Sequence, residues 1–168
     1  MWHRFLARLF PSTPLIEVGI SKEALLHNLH TYQAAYPDVL LAPVLKSNAY
    51  GHDLGLIARA LDTETIAFFM VDSLYEARRL RGAGVRSRIV VMGYVRPQDI
   101  AGSSLRNVDF AITDIEQLRT LAHIVRSPRR LHIKLDTGMH RQGIQMEDLA
   151  ETIALLKGNP RLHVVGAC

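Results

Sequence analysis

Apolar and polar positions alternate along the chain between two rhythms. From Ser21, a residue type that caps helix amino termini, Leu25, Leu26, Leu29 and Tyr32 recur at helical spacing. An unbroken apolar run of strand length follows, Val39 to Leu45. The two patterns then trade places. A helix is predicted over Asp53–Leu61 and a strand over Ile66–Val71. Ser73 and Glu76 have capping-box spacing and open a helix that Gly82 or Gly84 would end. Arg88–Met92 reads as a strand, and Pro97 suits the first turn of a short helix. Val108–Ile112 is a strand, and Thr113 with Glu116 forms a second capping box for a helix through Val125. A strand at Leu131–Leu135, a helix at Met146–Lys157 closed by Gly158, and a strand at Leu162–Ala167 complete the series.

Six strands with a helical stretch between each pair give an α/β chain. The strands read as apolar along most of their length, so both faces are expected to be covered, as in a parallel sheet of β-α-β units. An open doubly wound sheet and a (β/α)8 barrel both satisfy that order. No Gly-x-Gly-x-x-Gly follows the first strand, which counts against a dinucleotide-binding sheet. A barrel needs eight strands and six are found, so a barrel here would be incomplete. No repeat or linker divides the chain, and residues 1–168 are expected to form one partial barrel domain.

Composition narrows the function. The chain has 168 residues, 48% of them hydrophobic and 21% charged, as in soluble globular proteins. A net charge of +4 comes mostly from arginines in small groups without interleaved aromatics, which argues against nucleic acid as partner. The one cysteine, Cys168, leaves no internal disulfide to form, as expected in a reducing compartment. No apolar run is long enough for a membrane span, and Met1–Phe10 is too interrupted for a signal peptide and could form an amphipathic surface turn. The expected location is the cytoplasm. His27 with His30, and His132 with His140, lack the motif context of a metal site, and no metal is expected.

Two lysines carry the chemistry. Of Lys22, Lys46, Lys134 and Lys157, Lys46 and Lys134 sit in or at the carboxyl ends of apolar strands. Barrels and open α/β sheets both place their reactions there. Burial favours the neutral amine, the form that attacks a carbonyl in Schiff-base chemistry.

The segment Ala42-Pro43-Val44-Leu45-Lys46-Ser47-Asn48-Ala49-Tyr50-Gly51-His52 resembles the cofactor-binding signature of alanine racemases. The segment from His132 to Ile144, with Lys134-Leu135-Asp136-Thr137-Gly138-Met139-His140-Arg141 at its centre, resembles a second signature of that family, at a similar separation. Weaker similarity runs from an entry strand at Leu15-Ile16-Glu17 to the last strand. The resemblance implies a pyridoxal-phosphate-dependent (β/α)8 barrel followed by a mostly β domain, acting as a homodimer that interconverts L- and D-alanine and so supplies D-alanine for peptidoglycan. It implies that Lys46 holds pyridoxal 5'-phosphate and acts as one base, and that Tyr50 bonds the cofactor phosphate. Arg141 would contact the cofactor's phenolic oxygen and the substrate carboxylate. Lys134 matches a lysine that is often carbamylated, and a carbamate would orient Arg141. Asp53 and Gln142 depart from the family's usual glycine and leucine. The second base, a tyrosine of the family's later domain, lies outside this sequence, so the chain is expected to be a fragment with little activity alone. The alternatives are a non-catalytic pyridoxal-phosphate carrier barrel, a racemase for another amino acid such as serine or lysine, or a related decarboxylase. The Asp136-Thr137-Gly138 triplet is similar to that of aspartic proteases, but the helices argue against their all-β fold.

Overall fold

The computed structural model describes residues 16–168. The proposed surface turn at Met1–Phe10 lies outside them. Ile16–Ile20 carries no regular structure, so no entry strand forms there; Ile16 and Val18 are exposed. The elements then run α1 (Lys22–Ala35), α2 (Leu54–Leu61), β1 (Phe69–Val71), α3 (Leu74–Gly82), β2 (Ile89–Val91), α4 (Pro97–Gly102), β3 (Val108–Ile112), α5 (Ile115–Ile124), β4 (Arg129–Ile133), α6 (Leu149–Gly158) and β5 (Leu162–Ala167). A single 3₁₀ turn, Met146–Asp148, leads into α6.

All four strand pairings are parallel, and the strands lie in chain order, β1-β2-β3-β4-β5. A doubly wound sheet would reverse its order at a switch point, so this progression is that of a barrel wall. The wall does not close within the described residues. The α/β expectation therefore holds, as an incomplete barrel.

The expected first strand, Val39–Leu45, is a correction. It runs beside β1 but forms only one parallel bridge, Val44 to Met70. Ala67 N donates to Leu41 O (2.8 Å), Met70 N to Pro43 O (2.9 Å) and Leu45 N to Met70 O (2.7 Å). Pro43 has no N–H to donate, so the ladder is interrupted midway. Val39 and Leu40 lie outside the pairing and are exposed.

The two faces of the sheet differ. Phe69, Val71, Ile89, Val91, Phe110, Ile112, Leu131 and Ile133 share one core with Leu54, Ile57, Leu80, Ile100, Leu118 and Leu121 from the helices. Fully burying a side chain such as Phe69 or Phe110 contributes about 2–3 kcal/mol. The register places Met70, Val90, Asp109 and Arg130 in one row on the other face, with Ala111 and His132 in the next. That face is partly polar: the exceptions to strands apolar along most of their length gather on it.

The helix signals hold with two shifts of register. Ser73 and Glu76 form the full capping box. At the far end of α3, Gly84 (φ +85°) takes the left-handed position. Val85 N donates to Leu80 O (3.2 Å) and Gly84 N to Arg81 O (3.1 Å), the paired bonds of a Schellman end. The second cap sits one residue later than expected and is not a reciprocal box. Asp114 caps α5 by accepting from Gln117 N (2.7 Å), and buried Thr113 donates its own N–H to Gln117 Oε1 (2.8 Å). Gly158 is the last residue of α6 and not its terminator, since the cap is Asn159 in an extended conformation.

Candidate active site

The carboxyl ends of parallel strands all lie along one edge of the sheet, and both flagged lysines are there. Lys46 follows buried Leu45, the last residue hydrogen-bonded to β1. The chain then winds the wrong way. Ser47, Asn48, Ala49 and Tyr50 all have φ between +54° and +57°, and Gly51 follows at +92°. A left-handed turn costs roughly 1–2 kcal/mol per non-glycine residue, because Cβ crowds the next carbonyl. Such a turn persists only where its surroundings over-determine it.

Here they do. Ala49 N donates to Leu45 O (2.8 Å), and Gly51 N is shared between Ser47 O and Asn48 O (3.2 Å each). Leu54 N donates to Asn48 Oδ1 (3.0 Å), and His52 Nδ1 lies 2.9 Å from Ala49 O. Ala49 is buried. Glu76, found in the sequence only as half of a capping box, also accepts from Asn48 N (3.4 Å), while its other oxygen takes Asp72 N (2.8 Å) and Ser73 N (3.3 Å). One carboxylate thus ties the Lys46 turn to the start of α3. The result is a half-buried Lys46 and an exposed Tyr50 on a fixed backbone.

The departure at Asp53 has a local cause. Its φ is +71°, a conformation that glycine adopts without cost. The aspartate recovers part of the strain by capping α2, accepting from Leu56 N at 2.8 Å.

Lys134 directly follows β4. Its N–H donates to Ile112 O (3.0 Å) and its carbonyl accepts from Ile144 N (2.8 Å), so the chain returns beside itself after a loop. The loop hangs on Asp136. Its Oδ1 accepts from Gly138 N and His140 N (3.0 Å each), and Oδ2 from Gln145 Nε2 (3.3 Å). The Gly138 and His140 N–H groups hold its carboxyl down to a pKa of about 2. Asp136 is therefore an acceptor that shapes a turn. Arg141 rides on that turn and is exposed.

Neither lysine is enclosed as a strand buried on both faces would require; both are half-buried. The ion pairs among the described residues use Arg88, Arg96, Arg119 and Arg130 with three histidines, and neither lysine enters one. Along the sheet the two lysine-bearing ends are four strand spacings apart, roughly 19 Å. The curl of the wall, and not adjacency, would turn both to one small ligand. Of the flagged histidines, His30 lies 2.9 Å from Glu64 Oε2, His132 Nε2 lies 3.5 Å from Asp109 Oδ2 and His140 Nδ1 lies 3.8 Å from Asp136 Oδ2.

Asp109 was missed from the sequence. Its side chain is 1% exposed, on the inner face, and its Oδ1 accepts from Arg88 Nη1 (2.8 Å) and Arg130 Nε (3.1 Å). Burial alone would raise its pKa, but His132, Arg88 and Arg130 outweigh that and hold it below the ordinary carboxylate value. An aspartate inside the apolar run Val108–Ile112 was the available signal.

Comparison with known proteins follows this geometry closely. The family model described as "Alanine racemase, N-terminal domain" matches residues 20–168. The alanine racemase of Pasteurella multocida is 35% identical over 132 residues, covering 77% of this chain and 36% of that protein. That of Hamiltonella defensa is 35% identical over 152 residues, covering 87% of this chain and 42% of that protein. Among solved structures, alanine racemase from Corynebacterium glutamicum superposes with a TM-score of 0.80 at 26% identity, over 87% of this chain and 43% of that one. Histidine racemase from Leuconostoc mesenteroides gives 0.77 at 27%, over 85% and 40%. The chain spans about two fifths of the length of the relatives it matches.

Proposed function

From the premise that the chain belongs to the alanine racemase N-terminal-domain family, we propose that it forms the lysine-bearing barrel part of a pyridoxal-phosphate-dependent racemase that interconverts L- and D-alanine. The observation that carries this reading is Lys46: an amine without an ion-pair partner among the described residues, at the carboxyl end of the segment beside β1, set on a strained turn that five separate contacts hold in place. Strain kept at such expense belongs to positions where a side chain must be aimed.

The residues present fit the cofactor. A phosphorylated aldehyde needs a free amine, a hydroxyl for its phosphate and a cation for its phenolic oxygen. Lys46, Tyr50 and Arg141 supply these on the same edge of the sheet. When bound, the cofactor acts as an electron sink that acidifies the substrate's α-carbon. Lys46 Nζ would be the group that takes a proton from one face of that carbon or returns one to it. The Arg141 guanidinium matches the substrate carboxylate in two-pronged fashion. Lys134, if carbamylated, becomes an anion able to fix Arg141. Lys46 would serve one face only, and racemisation needs a second base for the other. The complete enzyme would be a homodimer acting in the cytoplasm; among the described residues no helix is long and apolar enough to cross a membrane.

A racemase for another amino acid is a second reading, since the histidine racemase superposes about as well as the alanine enzymes. The test is to add pyridoxal phosphate, reduce with borohydride and locate the adduct by mass spectrometry. A single adduct on Lys46, lost in Lys46→Ala, is expected, with α-hydrogen exchange into alanine in deuterated buffer. Reduction scattered over the lysines would overturn the role of Lys46. An adduct without exchange into any amino acid would favour a carrier, and exchange into histidine or serine but not alanine would move the substrate assignment.

A further inference from the structure

We propose that the opposite, amino-terminal mouth of the sheet holds a second ligand site, for a small tetrahedral oxyanion of the phosphate class, bound between Arg88 and Arg130. A cavity of about 190 Å³ opens there, at the amino ends of β2, β3 and β4, lined in part by Arg88, Ser103, Asn107, Asp109, Arg129 and Arg130. Asp109 is the one carboxylate in that lining. Three guanidinium groups against one carboxylate leave two positive charges uncompensated in a concave site, the arrangement that concentrates anions.

The hydrogen-bond inventory shows which donors are free. Arg129 is spent: its guanidinium donates to the carbonyls of Ile100, Ala101, Ser103 and Pro128. Arg88 gives only Nη1, and Arg130 only Nε, both to the same Oδ1 of Asp109. Arg88 therefore keeps Nε and Nη2, and Arg130 keeps both terminal nitrogens, without a partner among the described residues. Asn107 also lines the cavity. Asp109 Oδ2 does not compete for these groups, because it faces His132 Nε2 at 3.5 Å and has no hydrogen-bond partner.

The carboxylate's part is to pre-position. Arg88 and Arg130 are 32% and 47% exposed, and long side chains so open to water would lose rotamer freedom on gripping a ligand. Anchoring one nitrogen of each on a buried oxygen removes part of that cost in advance. Two forks fixed on a common centre and open on their outer edges suit an ion with several equivalent oxygens better than a single-point anion such as chloride. The site is at the far end of the strands from Lys46 and does not depend on the racemase reading.

The test is titration of the chain with inorganic phosphate at constant ionic strength, read by calorimetry and by the thermal midpoint. Saturable binding to one site is expected, weakened about tenfold or more by Arg130→Gln and unchanged by Arg78→Gln on the surface of α3. Arg130→Lys keeps the charge but not the fork, and serves if the glutamine variant folds poorly; it is expected to fall between them. Equal binding in all variants, or a midpoint shift that chloride reproduces, means an adventitious ion only and overturns the proposal. Glycerol phosphate identifies the source of the ligand: tighter binding than inorganic phosphate points to an organic phosphate ester, and weaker binding to the free ion.

Discussion

Gly143 offers a substitution whose cost can be worked out atom by atom. Its φ is +142°, and a Cβ built on it would lie 2.5 Å from Asp136 N, 2.7 Å from Leu135 C and 3.0 Å from Asp136 Cα. All three are backbone atoms, so no side chain can swing aside. Gly138, in the same loop, has φ +125° and nothing within 4 Å of an added Cβ. The pair separates two effects. Gly138→Ala is charged only with the conformation, about 1–2 kcal/mol. Gly143→Ala adds a clash that can be relieved only by pushing the returning strand off Lys134 and Asp136, about 1–3 kcal/mol more by the measure of overpacked cores. That movement would break the bonds from Gly143 N to Thr113 O (2.7 Å) and from Asp136 N to Ile144 O (3.0 Å). Urea unfolding of the two variants, with midpoints converted at a common slope, measures the difference. Gly143→Ala is expected to be less stable than Gly138→Ala by at least about 1 kcal/mol, with disturbed amide signals at Lys134 and Thr113. Equal losses would refute the reasoning and show that the backbone contact is relieved elsewhere.

Three further outcomes follow from the same geometry. At Asp53, replacement by glycine relieves the positive φ and loses the cap, and is expected to be neutral or stabilising by up to about 1 kcal/mol; Asp53→Ala keeps the strain and loses the cap, costing about 1 kcal/mol, so urea midpoints should rank glycine above alanine. Asp136 has a folded pKa of about 2, below its unfolded value, so the stability it adds is present above about pH 4 and lost as the pH falls toward 2. Acid titration followed by circular dichroism should therefore find the midpoint falling less steeply in Asp136→Asn than in the parent. Asp109→Ala leaves Arg88 and Arg130 without their shared acceptor; because both are partly solvated, a loss of about 1–3 kcal/mol in denaturant is expected, below the full cost of breaking a wholly buried pair.

The periodicity of the chain was enough to find the six helices and five strands of the described residues, and several of them carry a cap or a glycine stop of their own. Ser21 and Ser73 cap where local pattern placed them, Gly84 ends α3, and Asp53, read as the first helical residue, proves to be the cap of α2. The failures came where tertiary contacts chose between local options. Asp114 and not Thr113 caps α5, since the Thr113 hydroxyl, like its N–H, is turned to Gln117 Oε1 while Asp114 Oδ1 accepts from Gln117 N. Val39–Leu45 is apolar enough for a strand, but Pro43 breaks its ladder, and Val39 turns its N–H back to Tyr36 O instead of pairing with β1. At the candidate site, Lys46 and Lys134 were legible because a lysine at the end of an apolar run is conspicuous. The left-handed turn was not, since Ser47-Asn48-Ala49-Tyr50 carries no glycine until Gly51 and its conformation depends on Glu76, which is distant in sequence. The inner-face cluster escaped for a related reason. Asp109 lies on β3 and Arg130 and His132 on β4, and only the strand register brings the aspartate beside them.

The chain-order sheet also has a consequence for how this protein comes to be folded. Every strand pairs with the one made just before it: Phe69 with Ile89, Ile89 with Val108, Phe110 with Leu131. No strand has to wait for a distant segment, so loop-closure entropy is paid in small, similar instalments and the contact order stays low for a parallel sheet. A chain emerging amino end first can add each β-α unit to a finished predecessor. Hydrogen exchange on stalled nascent chains would see this as protection that advances strand by strand, β1 and β2 acquiring it before β4 has left the ribosome.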